Sequence, residues 1–279
     1  MLKSLPKVMT FSATDPSGGA GLQADVLTIA SLGCHPLSVT TGITVQDTIG
    51  VDSLMALGSE WVNDQARSIL EDMEVAVFKC GLLGSIENIT TVAEIVADYP
   101  DIPLIIDPVL ASGRGDELVS GDMLMAMTEL LFPQSLLITP NSFEARRLVI
   151  QDDEEFSDIS LDECAKRFRM MGCKNTLITG THEKTDAVIN TLYNHLGEPT
   201  PFYWDRLPAS YHGSGCTLTS AIAAYYAQGL SLEAAVEEAQ HFTWQTLKNA
   251  FKPGMGQCIP DRFFWVNEDE EDDGRYTHH

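Results

Sequence analysis

Along most of the chain, short runs of β-branched and apolar residues alternate with stretches whose apolar positions recur at helical spacing. The runs KVMTFSA (7–13), PLSVTTGITV (36–45), VAVFKC (75–80), PLIID (103–107), SLLIT (135–139) and NTLIT (175–179) read as strands. Between the first two, Leu22, Val26, Ile29 and Ala30 repeat at i, i+4, i+7 and i+8, an amphipathic helix that stops at Gly33. The alternation predicts βαβ crossovers and an α/β fold, a mostly parallel sheet with helices on both faces. Residues 184–206 read as a β-hairpin and 216–250 as two packed helices, and no internal repeat is present. In such a sheet ligands gather at the carboxyl ends of the strands, so the residues that follow each strand carry the chemistry.

Several strand ends offer polar side chains: Thr14 and Asp15, Gln46 and Asp47, Asp107, then Asn141 with Glu144. Asp and Asn also favour turns and caps, which explains any one position without a ligand. Their concurrence at four neighbouring strand ends points to a site.

Two glycine turns stand out. In TDPSGGAGLQAD (14–25), Gly19-Ala20-Gly21-Leu22-Gln23-Ala24 fits the dinucleotide pattern G-x-G-x-x-A. Asp15 opposes that reading, because a carboxylate repels a diphosphate and suits hydroxyls or ring nitrogens. The glycines also let a flat ligand lie on bare backbone. In SYHGSGCTLTSAIAAYYAQG (210–229), Gly213, Ser214 and Gly215 can aim successive N–H groups at one point, at the head of a helix. That is an oxyanion or phosphate cradle, and the same field predicts a thiolate-like Cys216. A glycine-rich cap over a small buried cysteine is the other reading. No G-x-x-x-x-G-K-[ST] or G-x-S-x-G pattern occurs, against a P-loop enzyme and an α/β-hydrolase.

Composition narrows the partners. With 279 residues and 44% hydrophobic content, one large domain over 1–266 is expected, followed by an acidic, disordered tail at 267–279. The 17 Lys+Arg against 40 Asp+Glu give a net charge of −23, which disfavours nucleic acid and anionic membranes. Six scattered cysteines without a CxxC pair suggest a reducing cytoplasm and no structural zinc, and no run resembles a signal peptide or membrane span.

An anion cradle, a base beside it, a carboxylate pair (Asp107, Glu144) able to hold Mg²⁺ through waters, and a polar recess form the inventory for phosphoryl transfer from ATP. The motifs TDPSGGAGLQAD, TVQDTIGV (44–51), KCGLLGS (79–85), DPV (107–109), TPNSFEA (139–145), ITGTH (178–182) and HGSGCTLTSAIA (212–223) occur in order. Over residues 7–265 the chain resembles the ribokinase-like superfamily and, within it, the hydroxymethylpyrimidine/phosphomethylpyrimidine kinases of thiamin biosynthesis. The resemblance implies a three-layer α/β/α sandwich with a mostly parallel central sheet. It also implies an ATP- and Mg²⁺-dependent kinase that phosphorylates 4-amino-5-hydroxymethyl-2-methylpyrimidine and then its monophosphate, commonly as a homodimer. By that resemblance Cys216 is the base, and the Gly213, Ser214, Gly215 and Cys216 amides neutralise the transferred phosphoryl. Gln46 and Asp15 face the pyrimidine, with Gly19, Ala20, Gly21, Leu82 and Val109 as walls. Asn141, Thr179, Thr181 and His212 fall on the nucleotide side, His212 also being placed to tune Cys216, and Asp107 and Glu144 on the magnesium side.

Two departures affect the nucleotide. Ile178-Thr179-Gly180-Thr181-His182 lacks the lysine of the family's V-K-G-G-H, and Ser112-Gly113-Arg114-Gly115-Asp116 replaces Lys-Ser-Gly-Asp, with Arg114 as a substitute cation. Pyridoxal kinase is the nearest alternative, and Gln46, with donor and acceptor together, favours an aminopyrimidine over it. A pyrimidine-binding sensor without catalysis and a nicotinamide-dependent oxidoreductase are further alternatives; the latter leaves the second turn unexplained. Trp204 and Tyr211 could stack on a base or serve packing and dimer contacts.

Overall fold

The computed structural model describes residues 5–111, 115–151, 155–156, 159–194 and 197–266. In chain order the elements are β1 (Lys7–Thr14), α1 (Gly21–Ser31), β2 (His35–Gln46), β3 (Val51–Ala56), α2 (Ser59–Asp72), β4 (Val77–Cys80), α3 (Ile86–Asp98), β5 (Leu104–Ile106), α4 (Gly121–Ala126), β6 (Ser135–Ile138), α5 (Ser142–Val149), α6 (Leu161–Met170), β7 (Thr176–Ile178), β8 (Ala187–Tyr193), β9 (Thr200–Asp205), α7 (Ser214–Ala227) and α8 (Leu232–Lys248). All nine strands join one sheet in the order β3-β2-β1-β4-β5-β6-β7-β8-β9. The pairs from β2 through β7 are parallel, and β3, β8 and β9 add antiparallel edges.

Alternation along the strands divides the core in two. Met9, Phe11, Phe78, Leu104, Ile106 and Ile138 pack with α2, α3, α5 and α6 on one face. Val8, Val77, Ile105, Leu137 and Leu177 pack with α1, α7 and α8 on the other. The layers are those expected. By the same alternation Thr10, Ser12 and Lys79 point to the second face, where Asp25 of α1 accepts from Thr10 and Lys79 and from Ser220 of α7. A polar seam thus runs through that core beneath the strand ends.

The periodicity did not disclose β3. None of its residues is buried, so no apolar alternation marks it. Asp47 sets the reversal instead, its Oδ1 accepting from the Ile49 and Gly50 amides at 2.7 and 3.1 Å. The expected tail at 267–279 and Arg114 lie outside the described residues.

Candidate functional site

Asp15 organises the first glycine turn. Its Oδ1 accepts from Ser17 N at 2.8 Å, and its Oδ2 from Ala20 N at 2.7 Å and His212 Nε2 at 2.8 Å. Burial alone would raise the carboxyl pKa, but the His212, Ser17 and Ala20 hydrogen bonds outweigh it and hold Asp15 below its ordinary value. Arg262 grips the same turn from the far end of the chain. It donates to Gly19 O at 2.6 Å and Gly18 O at 3.4 Å, while its Nε reaches Thr217 Oγ1 of α7 at 3.1 Å. Burial lowers this guanidinium to about 10, still charged at neutral pH.

The second turn packs directly on the first. Gly213 has φ +80, and a Cβ there would run into Gly19 O; a Cβ at Gly19 would run into the His212 ring. Gly19 therefore serves the approach of the two turns. Unlike Ala20 and Gly21, it does not line the cavity, so its expected place as a substrate wall is corrected. Helices α3 and α8 open on a capping side chain, Ser85 and Ser231, whereas α7 starts at Gly213 without one, as α1 and α2 also do at Ala20 and Gly58. Its first amides face the cavity with the helix dipole behind them.

Cys216 lies on the first turn of α7. The Gly21 amide donates to its sulfur, and Asp107 is its carboxylate neighbour. The expected thiolate character is overturned. Burial and then Asp107 push the thiol well above its ordinary value, with Lys79 only partly opposing them. Both readings of this cysteine hold in part: it is buried, and it lines the cavity.

Below it, Lys79 Nζ lies 2.9 Å from both oxygens of Asp25, with both side chains fully buried. Thr10 and Ser220 hydroxyls complete the Asp25 shell at 2.6 and 2.8 Å. Burial works against the ammonium, but Asp25, with Cys216 and Asp107, outweighs it and raises the Lys79 pKa.

Asp107 is buried beside the second turn, with its Oδ2 unpartnered among the described residues, and a Cβ at Gly215 would lie 3.8 Å from both its oxygens. Burial raises its pKa, Lys79 opposing. Glu144 forms a capping box with Asn141: Asn141 Oδ1 accepts from Glu144 N, and Glu144 Oε2 from Asn141 N, both at 2.9 Å. Its Oε1 faces Leu110 N at 3.4 Å, and burial together with Asp107 pushes the carboxyl up to about 8.

One cavity of about 570 Å³ takes in Asp15, Ala20, Gly21, Gln46, Leu82, Asp107, Val109, Asn141, Glu144, Thr179, Thr181 and His212 together with Gly213 to Cys216. Trp204, Trp244, Gln240 and Arg206 line its other end. Trp204 Nε1 donates to Gln240 Oε1 at 3.1 Å, and Arg206 donates to the carbonyls of Thr181, Glu183 and Thr185 at 2.8, 3.0 and 3.2 Å. Sequence reasoning missed Arg206, Arg262, Gln240 and the Lys79–Asp25 pair. Only Lys79 carried a signal, a lone cation inside the apolar strand VAVFKC.

Three comparisons place this geometry. A family model described as phosphomethylpyrimidine kinase matches residues 15–261. The hydroxymethylpyrimidine/phosphomethylpyrimidine kinase of Streptomyces coelicolor is 36% identical over 257 residues, 90% of this chain and 92% of that one. A bifunctional thiamine biosynthesis protein of Geobacter sulfurreducens is 34% identical over 89% of this chain, which spans 50% of its length. Among solved structures, the Staphylococcus aureus pyridoxal kinase in complex with AMP-PCP and pyridoxal superposes with a TM-score of 0.83 at 26% identity, covering 95% of this chain and 96% of that one.

Proposed function

The chain belongs to the phosphomethylpyrimidine kinase family, and on that premise we propose that its cavity carries out two ATP-dependent steps of thiamin biosynthesis. The first phosphorylates the hydroxyl of 4-amino-5-hydroxymethyl-2-methylpyrimidine, and the second phosphorylates the resulting monophosphate. One observation carries the reading: the Cys216 sulfur, the uncapped amides of α7, Asp107 and Gln46 share a single cavity.

Gln46 and the Asp15-bound turn hold the pyrimidine, with Leu82 and Val109 as apolar walls. In the first step the hydroxyl oxygen bonds to the γ-phosphorus of ATP as the bond to the ADP oxygen breaks. The hydroxyl proton passes to Cys216 Sγ while the thiol proton passes to Asp107. The high thiol pKa suits this exchange, since a loose phosphoryl-transfer transition state needs proton removal only late. Amides of Gly213 to Cys216 bind the transferred oxygens. In the second step the acceptor is an ionised phosphate oxygen and no base is required.

Asn141, Thr179 and Thr181 border the triphosphate, and Trp204 and Trp244 the base. Asp107 and Glu144 would hold Mg²⁺ through waters, with the unpartnered Asp107 Oδ2 free to accept from one of them. Among the described residues no group of three or more His, Cys, Asp or Glu side chains gathers to hold a metal, so phosphate oxygens and waters would have to supply most of the shell. When bound, the ion neutralises phosphate charge. We also propose a cytoplasmic homodimer. All six cysteines, each among the described residues, are free thiols, and Ile43, Val45 and Met55 form an exposed apolar face on the β2–β3 ribbon. Among the described residues no helix is long and apolar enough to cross a membrane.

A second reading, pyridoxal phosphorylation, is favoured by the likeness to the Staphylococcus enzyme. ADP release measured with the aminopyrimidine, its monophosphate and pyridoxal as competing acceptors separates the two. Both pyrimidines should respond, and a response to pyridoxal alone would overturn the pyrimidine reading.

A further inference from the structure

His212 holds a position that neither the proton exchange nor the phosphoryl cradle uses. Its Nε2 lies 2.8 Å from Asp15 Oδ2 and also 2.7 Å from the Gln46 amide nitrogen. Asp15 is ionised and acceptor-only, so Nε2 must carry a proton. An NH₂ group facing that proton would set donor against donor. The other end of the amide raises a second conflict. Thr44 Oγ1 lies 2.8 Å from Thr14 O and 3.1 Å from the Gln46 amide oxygen, yet its hydroxyl has one proton for two acceptors.

One half-turn of the amide removes the donor–donor contact and frees the Thr44 hydroxyl. The shared proton becomes that of His212 Nε2, donated to both Asp15 Oδ2 and the amide carbonyl in a three-centre bond. The carbonyl then accepts from His212 Nε2–H, and the NH₂ donates to Thr44 Oγ1, which keeps its own proton on Thr14 O. We propose that the Asp15–His212 pair fixes the orientation of the Gln46 amide, and that this orientation determines which heterocyclic edge the cavity accepts. Asp15 and His212 are positioning residues, acting through Gln46.

The consequence rests on the pyrimidine reading above. An amide presents a donor and an acceptor side by side, and a half-turn exchanges them. The 4-aminopyrimidine edge offers a donor (the amine) next to an acceptor (N3). Its 4-oxo analogue offers the reverse, an acceptor next to N3–H. With the hydroxymethyl group aimed at Cys216, only one of these edges matches a fixed amide, and the mismatched one leaves buried polar groups facing like partners.

The test compares kcat/KM for 4-amino-5-hydroxymethyl-2-methylpyrimidine and its 4-oxo analogue in the wild type, His212→Gln and His212→Leu. A glutamine can place an N–H near the Nε2 position, whereas leucine cannot. The wild type and His212→Gln should prefer the amino compound by about 30-fold or more, the usual cost of an unmatched buried polar group. In His212→Leu the amide is free to turn, and the preference should fall to within about threefold, chiefly through KM. Retention of the full preference in His212→Leu, with a loss confined to kcat, overturns the proposal and leaves His212 to the phosphoryl group. Nitrogen-15 NMR of histidine-labelled wild type provides a readout independent of activity: a protonated Nε2 on His212 supports the proposal, and an unprotonated one overturns it even where the leucine variant fails to fold. A wild type that binds neither pyrimidine by calorimetry overturns the substrate reading and this specificity with it. Turnover with an unmoved preference overturns this inference alone.

Discussion

The two glycine turns meet in one cavity, yet they are held in opposite ways. Side chains tie down the first: Asp15 takes its amides, and Arg262 takes its carbonyls. The second has no side-chain cap, and its amides begin a helix whose first turn opens on the cavity. A saturated turn holds a shape, whereas an uncapped one retains donors for an incoming anion. On the proposed reading, recognition and transfer are divided between two pieces of backbone that touch at Gly19 and Gly213.

The largest test of this contrast lies beneath the second turn. Lys79→Met strands Asp25 as a buried, unpaired carboxylate and should cost about 3–5 kcal/mol of stability, read from denaturant unfolding. Adding Asp25→Asn should recover a large part, because the amide can still meet the Thr10 and Ser220 hydroxyls; no recovery would mean that the ammonium acts elsewhere. Next comes chemistry. Cys216→Ala should lower turnover of the hydroxymethyl substrate by about 10² or more, while phosphorylation of the monophosphate, which needs no base, falls far less. Equal losses in both reactions would remove Cys216 from proton transfer.

Two alanine scans then compare the turns themselves. Gly213→Ala meets Gly19 O at a positive φ and should cost about 3 kcal/mol. At Gly18, also at positive φ but with open space around its Cβ, alanine should cost only about 1 kcal/mol. Similar melting temperatures for the two variants would show that the turns do not bear on each other. The smallest effect is electrostatic. Because the folded pKa of Asp15 lies below its unfolded value of 3.8, the stability it contributes is complete above that value and lost as pH falls through the lower, folded one. Asp15→Asn should therefore flatten the acid limb of a melting temperature–pH curve, and an unchanged limb would show that other carboxylates control it.

Parts of this architecture were open to reading along the chain. Strand runs and helical periods announce themselves locally, and so do glycine turns in front of α1 and α7. The strand-end carboxylates were legible because turn chemistry and ligand chemistry use the same residue types. Strand β3 was not, since an exposed ribbon needs no apolar alternation. Arg262 was not either. It lies more than two hundred residues from the glycine carbonyls it binds, and nothing in IPDRFF marks that destination.

The sequence alone thus determined the order of the central strands and their helices, the two turns and the presence of a thiol at the head of α7, all products of short-range patterns. Tertiary structure decided what those parts became. Helix position by itself predicted a thiolate, but burial and Asp107 outweigh the dipole and leave a thiol, because desolvation depends on every element packed around the sulfur. The same holds for His212, adjacent in the chain to the second glycine turn yet hydrogen-bonded through space to Asp15 and Gln46. A hydrogen bond is set by distance in space, and chain neighbourhood does not disclose it.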